Sequence, residues 1–146
     1  MTHTQEDESY LHPKPEADEV LRASEADGPV VMLNLLRFRE IADYRGNPDL
    51  APDVPVSGAV AYKRYMAHSG PILARYGGEV IFMGEGGAMY IGPDNEHWHL
   101  MMLVRYPSRQ DFLAFTSDAE YLAGLGHRVA ALADSRLLPL NPKLGQ

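Results

Sequence analysis

The chain of 146 residues carries 20 acidic and 13 basic side chains, a net charge of −7, and no cysteine. Its hydrophobic fraction of 45% and charged fraction of 23% are those of a globular chain long enough for one domain with a real core. The composition excludes disulfides, thiol nucleophiles and cysteine-held metals, offers no basic stripe for nucleic acid, and contains no run near the ~20 apolar residues that cross a membrane.

Residues 1–28 read as an acidic N-terminal extension and hold six of the seven net negative charges. Met1–Tyr10 is polar and reads as neither signal peptide nor anchor, so a cytoplasmic location is expected. Residues 1–14 look disordered or loosely attached. Pro15 opens a short helix, Glu16 to Ser24, with Val20 and Leu21 as its apolar contacts. Asp27-Gly28-Pro29 stops it and starts the domain proper, residues 29–146.

The run Val30 to Phe38 is apolar on both alternating faces, as is the later run Trp98 to Tyr106. A strand with one wet face alternates, so these two need cover on both sides. Residues 45–57, with three prolines, read as a surface loop. Ser57 caps a helix that runs to about Tyr76 and stops at Gly77-Gly78, with Tyr62, Tyr65, Met66, Ile72, Leu73 and Tyr76 on one face and a kink at Gly70-Pro71. A second strand region spans Glu79 to Ile91, with a bulge or bend at Gly84-Glu85-Gly86-Gly87. Ser108 starts a helix through Phe112 and Phe115, and Ser117 with Glu120 repeats the device. The second of these helices carries an apolar stripe of Leu122, Leu125, Val129 and Leu132. A short last strand, Arg136 to Leu140, follows.

The order β-α-β-β-α-β predicts an α+β, ferredoxin-like fold: a four-stranded antiparallel sheet with helices on one face. The other face would leave Met, Leu and Val side chains in water. At ~25 cal/mol per Å² that patch invites association, and a homodimer through the sheet faces is the expected partner.

Several segments taken together carry a resemblance: Pro29 to Phe38, Gly77-Gly78, Glu96-x-Trp98, Leu103-Val-Arg-Tyr-Pro-Ser108, Tyr121, and His127 to Leu138. Over about residues 28–138 the chain resembles an uncharacterised bacterial family of domains of unknown function in the dimeric α/β-barrel superfamily. Relatives in that superfamily include antibiotic-biosynthesis-type monooxygenases, muconolactone isomerase-like enzymes and chlorite dismutase-like haem proteins. The resemblance implies a dimer with sheets face to face and a ligand cavity between sheet and helices in each protomer. It implies no reaction for this branch. The family pattern has an acid after the tryptophan, whereas this chain has His99.

Asn34 lies inside an apolar strand, where an amide must find a partner: a ligand, or a neighbouring backbone group. His97 and His99 are two apart on a strand and share a face. They are half of a metal site, a surface pair, or, for His99, a general base. Strand parity groups His99 with Met101, Leu103 and Arg105. Arg37 and Arg105 either clamp a carboxylate or pair with Asp111, Glu120 or Asp134. An Arg128–Asp134 bridge would close the helix end. Tyr62, Tyr65 and Trp98 form an aromatic wall or simply core. No metal site and no cofactor follow from these patterns, and the phosphate-loop, hydrolase and dinucleotide motifs are absent.

Two readings of function stand. In the first, a small-molecule-binding dimer carries cofactor-independent monooxygenase- or isomerase-like chemistry on a small aromatic or lactone-like compound. His99 moves a proton, Asn34 and Arg105 polarise an oxygen, and Arg37, Tyr62, Tyr65 and Trp98 bind the ligand. In the second, the protein is a non-catalytic ligand-binding or dimerisation module. Haem is a third idea, for which His127 is the axial candidate.

Overall fold

The computed structural model describes residues 9–24 and 26–143. Its elements in chain order are α1 (Ala17–Arg22), β1 (Val30–Phe38), a 3-10 turn (Pro48–Leu50), α2 (Gly58–Arg75), β2 (Glu79–Glu85), β3 (Leu100–Tyr106), α3 (Arg109–Ser117), α4 (Ala119–Ala131) and β4 (Leu132–Leu140). The strands form one antiparallel sheet in the order β2-β3-β1-β4. The protein is therefore α+β, with the helices gathered on one face of the sheet. Among the described residues no helix is long and apolar enough to cross a membrane.

Register explains why β1 and β3 are apolar on both parities. Val30, Met32 and Leu36 are at most 1% exposed and meet Tyr106, Val104 and Leu100 across the β1–β3 ladder. These rows face the helices, where Tyr62, Ile72, Phe115 and Tyr121 join the core. The opposite rows align Leu33 with Leu103, Phe82 and Leu138, and Leu35 with Met101. Among the described residues no helix covers them. Phe82 and Leu138 remain 53% and 54% exposed, while the central leucines are half-buried by their neighbours.

Ser57 caps α2 as expected, its hydroxyl accepting from the Val60 N–H at 3.1 Å. Pro71 lies inside this helix without ending it, so α2 runs unbroken to Arg75 and Gly77, at φ +79°, turns the chain toward β2. Gly58 admits no side chain, because a Cβ there would overlap the carbonyl oxygens of Arg39 and Ala131. That contact seats the start of α2 against the ends of β1 and α4. Ser108 caps α3, its Oγ accepting from the Asp111 N–H.

Other expectations need correction. The cap of α4 is Asp118, which accepts from the Tyr121 N–H, whereas the Ser117 hydroxyl donates back to the Leu113 carbonyl. The buried face of α4 is Tyr121, Gly124, Gly126, Ala130 and Ala131. Of the expected stripe, Leu132 is fully buried but belongs to β4, Leu125 packs on the core from its edge, and Leu122 is 48% exposed, so the small residues take the centre of the packing face. Small residues win because α4 lies so close to α2 that Gly124 touches the His68 ring. In α1, Leu21 packs on the core but Val20 is 66% exposed. The strand after α2 ends at Glu85, and β4 begins four residues before the expected Arg136.

Part of the N-terminal extension is fastened down. The Tyr10 N–H donates to Asp134 at 2.8 Å, Arg128 donates to the Leu11 carbonyl at 2.7 Å, and the Ser135 hydroxyl bonds the Tyr10 carbonyl. The expectation of loose attachment is overturned there; for residues 1–8 it lies outside the described residues. Buried Arg109 likewise ties the Ala26 carbonyl to Asn141.

Candidate functional site

The chemistry-bearing residues gather where β1 ends and β3 begins, and a bulge sorts them onto two sides. The His99 N–H donates to the Leu36 carbonyl at 2.9 Å, while the next residue, Leu100, is the register partner of that same Leu36. Two residues therefore oppose one, and the side-chain alternation shifts at this point. His99 turns toward the helix side, its ring stacked on Phe38 at 5.8 Å and 14°. Trp98 turns to the uncovered side, against Arg37 and Arg136 at 5.0 and 5.1 Å. The expected grouping of His99 with Met101, Leu103 and Arg105 is corrected by this one inserted residue.

On the helix side the rings form a continuous path. Phe38 lies 5.5 Å from Tyr62, Tyr62 lies 5.2 Å from Tyr65, and the Tyr65 and Tyr121 hydroxyls are hydrogen-bonded at 2.9 Å. Burial raises the pKa of Tyr62 despite the opposing charge of Arg128 nearby, and raises that of Tyr65 with help from Tyr121. Both phenols therefore stay protonated donors at neutral pH. Tyr62 is 3% exposed, so at most an edge of this wall meets a ligand. Asn34 faces the same side, two register rows away. Its Nδ2 donates to the Met32 carbonyl at 3.2 Å, and its Oδ1 has no partner among the described residues.

His99 has a defined protonation pattern. The Phe38 N–H donates to its Nδ1 at 2.9 Å, which fixes the lone pair on that atom and the proton on Nε2. Burial, then the His97 and Arg37 charges, lower its pKa and keep the ring neutral. An imidazole with one nitrogen occupied and the other protonated has no lone pair left for a substrate proton. The lone pair a general base would use is thus taken up by the Phe38 N–H, and the imidazole offers its Nε2–H as a donor.

The expected trio of His99, Asn34 and Arg105 is not brought together. Arg105 is on the uncovered face, 3.8 Å from Glu79, and six residues of strand, about 20 Å, separate it from His99. Its ion-pair partner is Glu79, none of the three acids expected. Arg37 finds no acid among the described residues either. It donates from Nε to the His97 carbonyl at 3.0 Å and lies on Trp98. Asp134, directly across the β1–β4 ladder, gives Oδ1 to Arg136, the Tyr10 N–H and the Ser135 N–H instead. The Arg128–Asp134 bridge is likewise absent. Trp98 is only 4% exposed and is flanked by the Arg37 and Arg136 guanidinium groups.

His97 and His99 remain two donors, since no group of three His, Asp or Glu side chains converges among the described residues. His127 accepts or donates at Nδ1 with the Tyr44 hydroxyl at 2.7 Å, and the Tyr44 ring packs edge-on against it. A shallow apolar depression of about 340 Å³ lies in the 41–56 loop, lined by Ile41, Tyr44, Pro52 and Val54. Sequence reading missed Phe38 as the partner of His99 and Arg136 as the second cation on Trp98. Neither had a local signal, because one depends on the bulge and the other on pairing β1 with the far end of the chain.

A family model described as "Domain of unknown function (DUF1330)" matches residues 53–138. Among curated proteins none matches the chain. Two crystal structures of the protein RPA0582 are similar. One, from Rhodopseudomonas palustris and described as of unknown function, is 36% identical, covers 94% of this chain and 99% of its own, and gives a TM-score of 0.84. The methylated RPA0582 protein is 37% identical, covers 94% and 98%, and gives 0.83.

Proposed function

Because the chain belongs to the DUF1330 family of domains of unknown function, we propose that it is a small-molecule-binding homodimer of the ferredoxin-like, dimeric α/β-barrel type. The sheet order, the one-sided helices and the uncovered row of Leu33, Leu103, Phe82 and Leu138 support the sheet-to-sheet dimer. The lack of cysteine suits work in a reducing cytoplasm.

The single observation that carries the binding reading is His99, an exposed neutral imidazole stacked on Phe38 with Nε2–H as its free donor. A donor of fixed direction beside an aromatic face suits a small aromatic or lactone-like compound that presents a carbonyl oxygen. On the same side of the sheet lie Asn34, with an open acceptor, and the Tyr62 edge against Phe38. In an isomerase- or monooxygenase-like reaction His99 would polarise the carbonyl or an enolate oxygen. The proton would have to leave by way of the compound or solvent. That want of a base favours the second reading, a binding module without turnover.

Native mass spectrometry of the purified protein tests the proposal. A dimer retaining one compound per protomer is expected, with the compound lost in His99→Phe, which keeps the ring stack. A wild-type protein that neither retains nor binds small carbonyl compounds differently from His99→Phe removes the site.

A further inference from the structure

Beyond β2 and β3 the chain does not turn at once. The Gly86 N–H donates to the His99 carbonyl at 3.1 Å, the Trp98 N–H to the Gly87 carbonyl at 3.0 Å, and Ala88 bridges His97. The two strands thus continue as a narrow hairpin past the last row of the sheet. Its base is held by Trp98, which Arg37 and Arg136 flank. Its tip carries Met89, Tyr90 and Ile91, exposed by 37%, 101% and 88%. Three apolar side chains offered to water on a braced arm are a costly arrangement for an isolated subunit.

From this we infer that the 86–97 hairpin is a dimer arm, and that its occupant is a second copy of this chain; the inference rests on the sheet-to-sheet dimer proposed above. Continuity is the first reason. The arm prolongs the strands that border the uncovered face, so a copy seated on that face is carried against the arm. Area is the second. Phe82 and Leu138, each about half exposed, line the face with the half-buried central rows, and the almost fully exposed Tyr90 and Ile91 at the arm tip add to it toward the ~800 Å² that each partner contributes to a standard interface. Face and arm together come nearer to that share than the face does by itself.

Sedimentation equilibrium of the full chain tests this with the double variant Tyr90→Ser/Ile91→Ser, two fully solvated positions that the fold does not need. Wild-type protein is expected to be dimeric at micromolar concentration, and the variant to dissociate about a hundredfold more readily, since both arms lose their apolar tips. Val54→Ser, at a 65% exposed loop position away from the arm, should leave the equilibrium unchanged. Concentration-dependent hydrogen-exchange protection of amides 88–92 is the expected companion result. A dimeric wild type with an equally stable arm variant overturns the arm while leaving the sheet-face dimer standing. A monomeric wild type overturns both, and equal weakening by Val54→Ser overturns the arm's specificity.

Discussion

The Phe38 N–H and the His99 Nδ1 are joined by a 2.9 Å hydrogen bond that settles which nitrogen of the imidazole carries the proton. Long-range nitrogen–proton correlation spectra at pH 7.5 should find Nδ1 unprotonated and Nε2 protonated. The opposite tautomer would break the bond and restore a free base at the site. His99→Phe should cost about 0.5–1.5 kcal/mol by denaturant melts, the net worth of one such bond.

Acid should weaken the fold near the lower end of the physiological range. His99 and His127 both have folded pKa values below the usual 6.5, each mainly through burial. The unfolded chain therefore binds these protons first as pH falls. Their stabilising contribution is complete above about pH 6.5 and is lost as pH drops through the lower folded values. Thermal melts should be flat from pH 7 to 8 and fall toward pH 5, with a shallower fall in His99→Phe. A midpoint that rises on acidification would contradict the assignment.

Gly58→Ala should destabilise by about 2–3 kcal/mol, because the added methyl meets two backbone carbonyl oxygens and not a movable side chain. Calorimetry would register this as a lower melting temperature with an unchanged family of spectra. A silent substitution would mean that the α2 start is not seated against Arg39 and Ala131.

The Tyr65–Tyr121 hydroxyl pair offers a further stability test. Tyr65→Phe alone leaves the Tyr121 hydroxyl without that partner and should cost about 1 kcal/mol. Tyr65→Phe with Tyr121→Phe should recover part of the loss, so a double-mutant cycle should return a coupling of about 0.5–1.5 kcal/mol. Additive losses would place the two hydroxyls out of contact.

Much of the fold was legible in local pattern. The two doubly apolar strands, the Ser57 and Ser108 caps and the Gly77 stop are each set within a few residues, and periodicity reads them well. The site was less legible for a physical reason. One inserted residue at His99–Leu100 reverses the side on which His99 and Trp98 emerge, and parity counting cannot see a bulge. Asn34 was found because an amide among hydrocarbons stands out in any register. The pairing of Arg37 and Arg105 was not, since each cation's neighbours come from strands far away in sequence. On α4 the leucine stripe was right for Leu125 and Leu132 but missed the centre of the face, where a very close helix contact selects glycine and alanine over bulk.

The position of β1 between β3 and β4 has a consequence for biosynthesis. Residues 30–38 leave the ribosome about a hundred residues ahead of the strand that pairs with them on one side. Until residues 132–140 emerge, a greasy ribbon with one open edge waits in the company of other nascent chains. The hazardous interval in the synthesis of this molecule is therefore the wait for β4, and holdase chaperones that shield such ribbons should raise the yield of native protein.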